Sequence, residues 1–275
     1  MLQDQTFAFI GSGAMGEAMI KGLITSAGVP APNIFASGPR PERGAELQAR
    51  YGVHVTVHNL EAIDGAQIVV LSVKPQMLHG VMEELAGRIA SEALVLSIVA
   101  GARLETITTV LRHKSVARAM PNTPAQIGLG MTVWTCPEAL SQLHRDQATA
   151  VFGSFGEEVY VGDERYLDMA TALSGTGPAY VFLFMEAMVD AGVHMGFSRR
   201  VAEQLVYQTV RGSVEYAQQA GRHLATLRNQ VTSPGGTSAE ALYQIEKGGL
   251  RTVMSRAIWA AYQKSRRLGR GVEED

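Results

Sequence analysis

Only one cysteine, Cys136, occurs among the 275 residues. That excludes an intramolecular disulfide framework and a cysteine-rich zinc site, and it fits a reducing compartment. The thiol itself reads as a small, inert, apolar side chain. Charge is sparse and balanced, with 24 lysines and arginines against 26 acidic residues and a formal net charge of -2. Such a balance offers no electrostatic footprint for a nucleic acid or an anionic membrane, so any anionic ligand has to be gripped locally. Long apolar runs are missing too. The richest stretch, Tyr180 to Val189, is interrupted by Glu186 and falls short of the ~20 residues of a membrane span. The opening residues, Met1 to Ile10, carry no basic region followed by a signal-length apolar run. These absences predict a soluble, cytoplasmic protein whose mature form begins at Met1, with no nucleic-acid partner, no membrane partner and no metal.

What is present is an apolar chain, 46% hydrophobic, long enough for two domains. As far as about residue 162, short apolar runs alternate with amphipathic segments, the pattern of a parallel sheet with helices on both faces. Strands are predicted at Phe7 to Ile10, Ile34 to Ser37, Val53 to Thr56, Ile68 to Val73, Leu94 to Val99, Val116 to Ala119, Thr132 to Thr135 and Val159 to Val161. Helical spacing covers Ala14 to Ser26, Glu42 to Arg50, Met77 to Ile89, Leu104 to Leu111 and Ala139 to Phe152. After Gly162-Asp163 strand signals stop. Helices are expected at Leu167 to Leu173, Pro178 to His194, Arg199 to Ala220, Leu224 to Gln230, Ser238 to Lys247 and Leu250 to Leu268. The prediction is an α/β N-terminal domain over 1–163 with a mainly parallel sheet, then an all-α domain over 164–275. Tyr180 to Val193 is apolar almost all round, so it needs cover on several sides, and a domain of ~110 residues has limited means of supplying it. A partner subunit is expected to help.

The first strand runs into Gly11-Ser12-Gly13-Ala14-Met15-Gly16, the Gly-x-Gly-x-x-Gly spacing of a Rossmann-type dinucleotide loop. Gly11 permits the tight turn, Gly13 lets the backbone approach a pyrophosphate, and Gly16 allows helix to pack on strand. A glycine-rich turn without a ligand is the bland alternative, and the strand before it and helix after it weigh against that. At the end of the second strand, the carboxylate that would accept from a free ribose hydroxyl is missing. Ser37 and Arg40 stand there instead, within Ala36-Ser37-Gly38-Pro39-Arg40, and suit a 2′-phosphate. This points to NADPH ahead of NADH, although Arg40 also reads as an ordinary loop arginine. Ser72-Val73-Lys74-Pro75 after the fourth strand and Ala100-Gly101 after the fifth lie on the edge where such sheets bind ligands. Lys74 reads equally well as a solvated strand-end lysine.

Reduction of a carbonyl usually calls for a proton donor such as histidine or lysine, whereas an imine can arrive protonated. Between Lys114 and Lys247 there is no lysine, so the helix position where β-hydroxyacid dehydrogenases carry one is empty of it. His144, His194 and His223 read as surface residues near helix ends. Two clusters of hydroxyls and glycines do stand before predicted helices: Ser174-Gly175-Thr176-Gly177-Pro178 and Thr232-Ser233-Pro234-Gly235-Gly236-Thr237-Ser238. Exposed amides and the helix dipole there would hold a carboxylate. Thr237 with Glu240 also reads as a capping box, which would use those amides internally. The glycines before it favour an open approach.

These segments, with Phe9 to Gly16, Ser72 to Pro75, Ser97 to Gly101, Met120-Pro121-Asn122-Thr123-Pro124-Ala125, Leu173 to Tyr180 and Val231 to Thr237, give the chain its resemblance to the pyrroline-5-carboxylate reductases over essentially its whole length. The resemblance implies a Rossmann domain, a helical domain that interlocks with its twofold mate, and an active site between the two. It implies reduction of 1-pyrroline-5-carboxylate to L-proline, the last step of proline biosynthesis. Cofactor contacts are then implied at Gly11 to Gly16, Ser37, Asn59, Val73, Lys74, Pro75, Ala100 and Gly101, beside the Arg40 and Ser72 candidates read from the strand ends. Substrate contacts are implied at Ser233, Gly235, Gly236, Thr237 and Ser238, and the hydroxyl-and-glycine pattern adds Ser174 and Thr176 as candidates. Ser238 stands where the family usually has a threonine whose hydroxyl meets the substrate nitrogen, so the donor survives but a rotamer-restricting methyl is lost. Asn229 replaces a commonly acidic residue. A related NADPH-dependent imine or β-hydroxyacid reductase, and a protein that binds NADPH without turnover, are the competing readings.

Overall fold

The computed structural model describes residues 2–269; the outermost ends of the two expected domains, Met1 and 270–275, lie outside the described residues. Eight strands are formed: β1 Phe7–Ile10, β2 Ile34–Ser37, β3 His54–Thr56, β4 Ile68–Leu71, β5 Leu94–Ser97, β6 Val116–Met120, β7 Gly130–Thr135 and β8 Gly156–Tyr160. They make one sheet in the order β3-β2-β1-β4-β5-β6-β7-β8. Every neighbouring pair is parallel except β6 with β7. Residues 121–129 are too few for the helical crossover that a parallel pair requires, so β7 returns antiparallel. Helices α1 Ala14–Thr25, α2 Pro41–Tyr51, α3 Asn59–Ile63, α4 Pro75–Leu85, α5 Leu104–Leu111 and α6 Gln142–Gly153 connect the strands.

The continuously apolar strands are covered on both faces, as parallel strands are. Alternate residues serve opposite cores. Phe7, Phe9, Ile68, Val70, Leu94 and Leu96 pack with Met19, Ile20 and Leu23 of α1 and with Phe152 of α6. Ala8, Ile10, Val69, Leu71 and Val95 pack with Leu78 and Met82 of α4 and Ile107 of α5. Each large apolar side chain buried this way stabilises the sheet by roughly 1.5–3 kcal/mol. Strand order reverses between β1 and β4, which opens a crevice at the carboxyl ends of those strands.

After β8 come α7 Arg165–Ala170, a π-helical turn Thr171–Gly175, α8 Gly177–His194, α9 Arg199–Ala220, α10 Leu224–Gln230, α11 Thr237–Lys247 and α12 Leu250–Leu268. The chain divides into two compact units, one made of the residues up to Thr176 together with those from Ala261 on, the other Gly177–Ala260. The first unit thus runs past residue 163 as far as Thr176. The reason is that α7 stays with the sheet: Leu167 is fully buried, and the Ser265 hydroxyl donates to Asp168 Oδ1 at 2.7 Å.

The second unit is helical throughout. Val189, Ala202 and Val206 are its buried apolar cluster, with Met185, Met188 and Val210 against them. Gly192 lets α8 and α9 approach, since a Cβ there would stand 3.0 Å from that of Ala202. Phe182, Leu183 and Trp259 remain 63%, 67% and 61% exposed. By length and composition the helical run Arg165–His194 would suffice to cross a membrane, and little of it is buried within the chain.

Candidate functional site

The loop from Gly11 to Gly16 leaves β1 at the crevice and enters α1. Gly11 adopts a φ of 105°, and a Cβ there would lie 2.7 Å from the Ser72 backbone. The Ser72 hydroxyl donates to the Gly11 carbonyl at 2.8 Å. At Gly16 a Cβ would meet the Gly11 oxygen at 2.8 Å. Protein packing thus demands two of the three glycines. It does not demand Gly13: that residue is exposed, and a Cβ would meet nothing within 4 Å. Gly13 is the N-cap of α1 and no side chain caps the helix. Among the described residues no acceptor takes the amides of Gly13, Ala14 or Met15. Bare amides at a helix head beside open space fit a dinucleotide's pyrophosphate.

At the end of β2, Ser37 is fully buried. Its hydroxyl donates to Asn59 Oδ1 at 2.7 Å, and Asn59 Nδ2 donates to Glu84 at 2.7 Å. Ser37 therefore offers a ligand no surface of its own and acts as a support for the half-buried Asn59. Arg40, the N-cap of α2, is exposed, and among the described residues nothing engages its guanidinium.

Arg43, one turn further on, is held fast. Its Nε donates to the Ser12 carbonyl at 3.0 Å and its guanidinium pairs with Glu17 and Glu46. Glu17, in the first turn of α1, also accepts from Arg50 and, at 2.9 Å, from the Tyr51 hydroxyl. Burial pushes the Glu17 carboxyl up, but the hydrogen bonds from Arg43, Tyr51 and Arg50 and the charge of Arg43 outweigh it and hold it below the usual carboxylate range.

On the other side of the crevice, Val73 packs into the core while Lys74 is an exposed N-cap with Pro75 in the first turn of α4. Ala100 and Gly101 are half-buried. Gly101 has a φ of 78°, and a Cβ there would come within 3.4 Å of the Leu268 backbone. Backbone conformation and the end of α12 account for this glycine.

The cluster around Ser174 is not a free helix start. It lies in the π-helical turn, where the Thr176 amide donates to the Thr171 carbonyl at 2.8 Å. The Ser174 hydroxyl donates to Ala170 at 3.0 Å and that of Thr176 to Thr171 at 2.8 Å. Without a ligand, both hydroxyls direct their hydrogens at these carbonyls and leave their oxygens open as acceptors. Single π turns of this kind frequently occur at functional sites.

The second cluster behaves differently. Gly236, with φ -82° and ψ 165°, is the N-cap of α11 and no side chain caps it. The capping box does not form; Glu240 takes Gln244 Nε2 at 3.1 Å instead. Among the described residues the amides of Thr237 and Ser238 have no acceptor. Gly235 turns with a φ of 70°, and a Cβ at Gly236 would strike the Ser233 hydroxyl at 2.6 Å. The loop is braced from below by the Thr232 hydroxyl, which donates to Arg228 at 2.7 Å, and by Arg228 facing Glu246 at 3.7 Å. Asn229 contributes its carbonyl to the Thr232 amide at 3.1 Å. Here eleven residues of helix present a bare, positive head.

With that geometry in place, likeness to known proteins decides the family. The chain is 39% identical over 261 residues to the pyrroline-5-carboxylate reductase of Synechocystis sp., spanning 95% of this chain and 97% of that one. The chain belongs to the pyrroline-5-carboxylate reductase family. To the Escherichia coli member it is 34% identical over 268 residues, 97% and 99% of the two chains. The family model for pyrroline-5-carboxylate reductase dimerisation matches 164–268, and one for coenzyme F420-dependent NADP oxidoreductases matches 6–101. Two solved reductase structures superpose with a TM-score of 0.89. One is the Plasmodium falciparum enzyme with NADP bound, 30% identical and covering 98% of this chain and 100% of that one. The other is from Coxiella burnetii, 33% identical and covering 96% and 98%.

Other candidate groups have structural partners. His223 caps α10, its Nδ1 accepting from Ala225 at 3.2 Å, and His144 Nε2 meets the Glu92 carbonyl at 3.1 Å. His194 is exposed at the end of α8. Burial raises the Cys136 thiol and the charge on Arg145 only partly offsets it, which leaves an inert group. Among the described residues no cluster could hold a metal. A cavity of about 520 Å³ lies beside Arg118, Glu164 and Tyr262, and none of the expected site residues lines it. The buried Arg118 pairs there with Glu164 at 2.8 Å.

Proposed function

We infer that this chain is a pyrroline-5-carboxylate reductase that delivers hydride from NADPH to the C=N bond of 1-pyrroline-5-carboxylate and releases L-proline. The observation that carries the reading is the uncapped head of α11, where Thr237 and Ser238 leave amides and hydroxyls open, in a chain that matches family members over 95% and 97% of its length. Bound at the crevice, the dinucleotide supplies the hydride. The amides from Gly13 to Met15 and the dipole of α1 hold its pyrophosphate. Ser12 and Gly16 shape that loop, and Ser72 fastens it through Gly11. Arg40, with its guanidinium free, meets the 2′-phosphate beside Asn59, which favours NADPH over NADH. Val73, Lys74, Pro75, Ala100 and Gly101 line the way to the nicotinamide half.

The substrate carboxylate rests on the Thr237 and Ser238 amides, with Ser233, Gly235 and Gly236 forming the approach. The Ser238 hydroxyl orients the ring nitrogen and stabilises its proton, so no further acid is required. This agrees with the absence of any lysine between Lys114 and Lys247. Ser174 and Thr176 face an N–H with their oxygens, since their hydrogens are spent on the helix. Holding both reactants fixed is the main contribution to rate.

Residues 1–163 carry the dinucleotide, and 164–275 carry the substrate and self-association. A second copy covers Phe182, Leu183 and their neighbours, a reading supported by the dimerisation model over 164–268. A reducing cytoplasm suits a protein whose one thiol is buried.

Purified protein mixed with NADPH and pyrroline-5-carboxylate should lose reduced-nicotinamide absorbance as proline forms. Turnover of β-hydroxyacids in its place, or NADPH binding without turnover of either, would overturn the assignment.

A further inference from the structure

Arg40 and Arg43 sit one turn apart at the start of α2, yet only Arg43 is tied to the dinucleotide loop. Its side chain is 18% exposed, and its Nε donates to the Ser12 carbonyl at 3.0 Å. The Ser12 carbonyl and the Gly13 amide share one peptide plane. A trans peptide points its C=O and N–H in opposite directions, and the described residues contain no cis bond. With the Ser12 oxygen turned onto Arg43, the Gly13 N–H is turned away from α2. That N–H has no acceptor among the described residues, and Gly13 borders open space.

Glu17 completes the device. It pairs with Arg43, and its own amide donates to the Gly13 carbonyl at 2.9 Å. A bare carboxylate this near a pyrophosphate would repel it; Arg43 and Arg50 neutralise it while it keeps Arg43 in place.

We propose that Arg43 is a positioning residue for the dinucleotide: by gripping Ser12 it aims the Gly13 N–H at the pyrophosphate. This rests on the reading that the glycine loop holds that group. The pyrophosphate is common to NADPH and NADH, so Arg43 acts on both alike, whereas Arg40 acts on the 2′-phosphate alone.

The test titrates wild type, Arg43→Ala and Glu17→Gln with NADPH, NADH and adenosine 2′-monophosphate, alongside steady-state kinetics. For Arg43→Ala, affinity for both dinucleotides should fall by the same factor, about tenfold, the worth of one charge-assisted hydrogen bond. KM for NADPH should rise in step, kcat should stay within about twofold, and the monophosphate, which lacks a pyrophosphate, should bind as it does to wild type. A larger loss for NADPH than NADH, a loss for the monophosphate, a fall in kcat matching that in kcat/KM, or no change at all overturns the proposal. Should Arg43→Ala fail to fold, Glu17→Gln keeps the side chain's shape and loosens the arginine. It should weaken both dinucleotides equally, by about threefold, and unchanged binding overturns the proposal. Wild type binding neither dinucleotide would instead refute the reading of the loop.

Discussion

Asn122 holds Ser174 in place: its Nδ2 donates to the Ser174 carbonyl at 3.1 Å while its Oδ1 accepts from the Met131 amide at 2.8 Å. One side chain thereby joins the end of β6, the start of β7 and the π-helical turn. Met120 adds a steric condition, since a Cβ on Gly175 would lie 2.9 Å from its terminal carbon. Asn122→Ala strands a donor and an acceptor and should cost about 1–3 kcal/mol in thermal or urea unfolding. An unaltered transition would mean that water replaces the amide without loss.

Ser238→Ala removes the hydroxyl but leaves the head of α11 intact, because Gly236 and not Ser238 is the cap. Turnover should fall by about 10²-fold or more, with NADPH affinity unchanged. A variant as fast as wild type would take Ser238 out of the chemistry.

Arg40 has no partner to lose within the described residues, so Arg40→Ala should leave stability within about 0.5 kcal/mol. NADPH affinity should drop about tenfold or more while NADH affinity holds. Equal losses for the two would show that Arg40 does not read the 2′-phosphate.

The carboxyl of Glu17 is held below its ordinary range in the folded chain. Its contribution to stability is therefore complete above that range and is lost as pH falls through the lowered value. Glu17→Gln should cost about 1–3 kcal/mol at neutral pH, and the gap to wild type should close in acid. A gap that persists unchanged in acid would assign the loss to packing instead of charge.

The sheet was legible because its strands are short, apolar and separated by turn residues, so Phe7–Ile10 and Ile34–Ser37 emerge with the expected ends. Where ends shifted, local chemistry explains it: α4 begins at Pro75 and stops at Leu85, with Gly87 at a φ of 69° just beyond. The glycine loop and the head of α11 were legible from spacing and composition. The π turn was not, since its hydrogen-bond register leaves no periodic mark on residues 171–175. Arg43 was missed because its partners, Ser12 and Glu17, lie far away along the chain, and no local pattern joins them. Asn122 stood inside a recognisable segment, but its partner Ser174 lies 52 residues away and is brought to it only by the fold.

The thin core of the second unit, Val189, Ala202 and Val206, ties folding to association. A unit that leaves most of its large apolar side chains uncovered gains much of its stability only when another copy arrives. Its melting point should then climb with protein concentration, and dilution alone should be enough to loosen it.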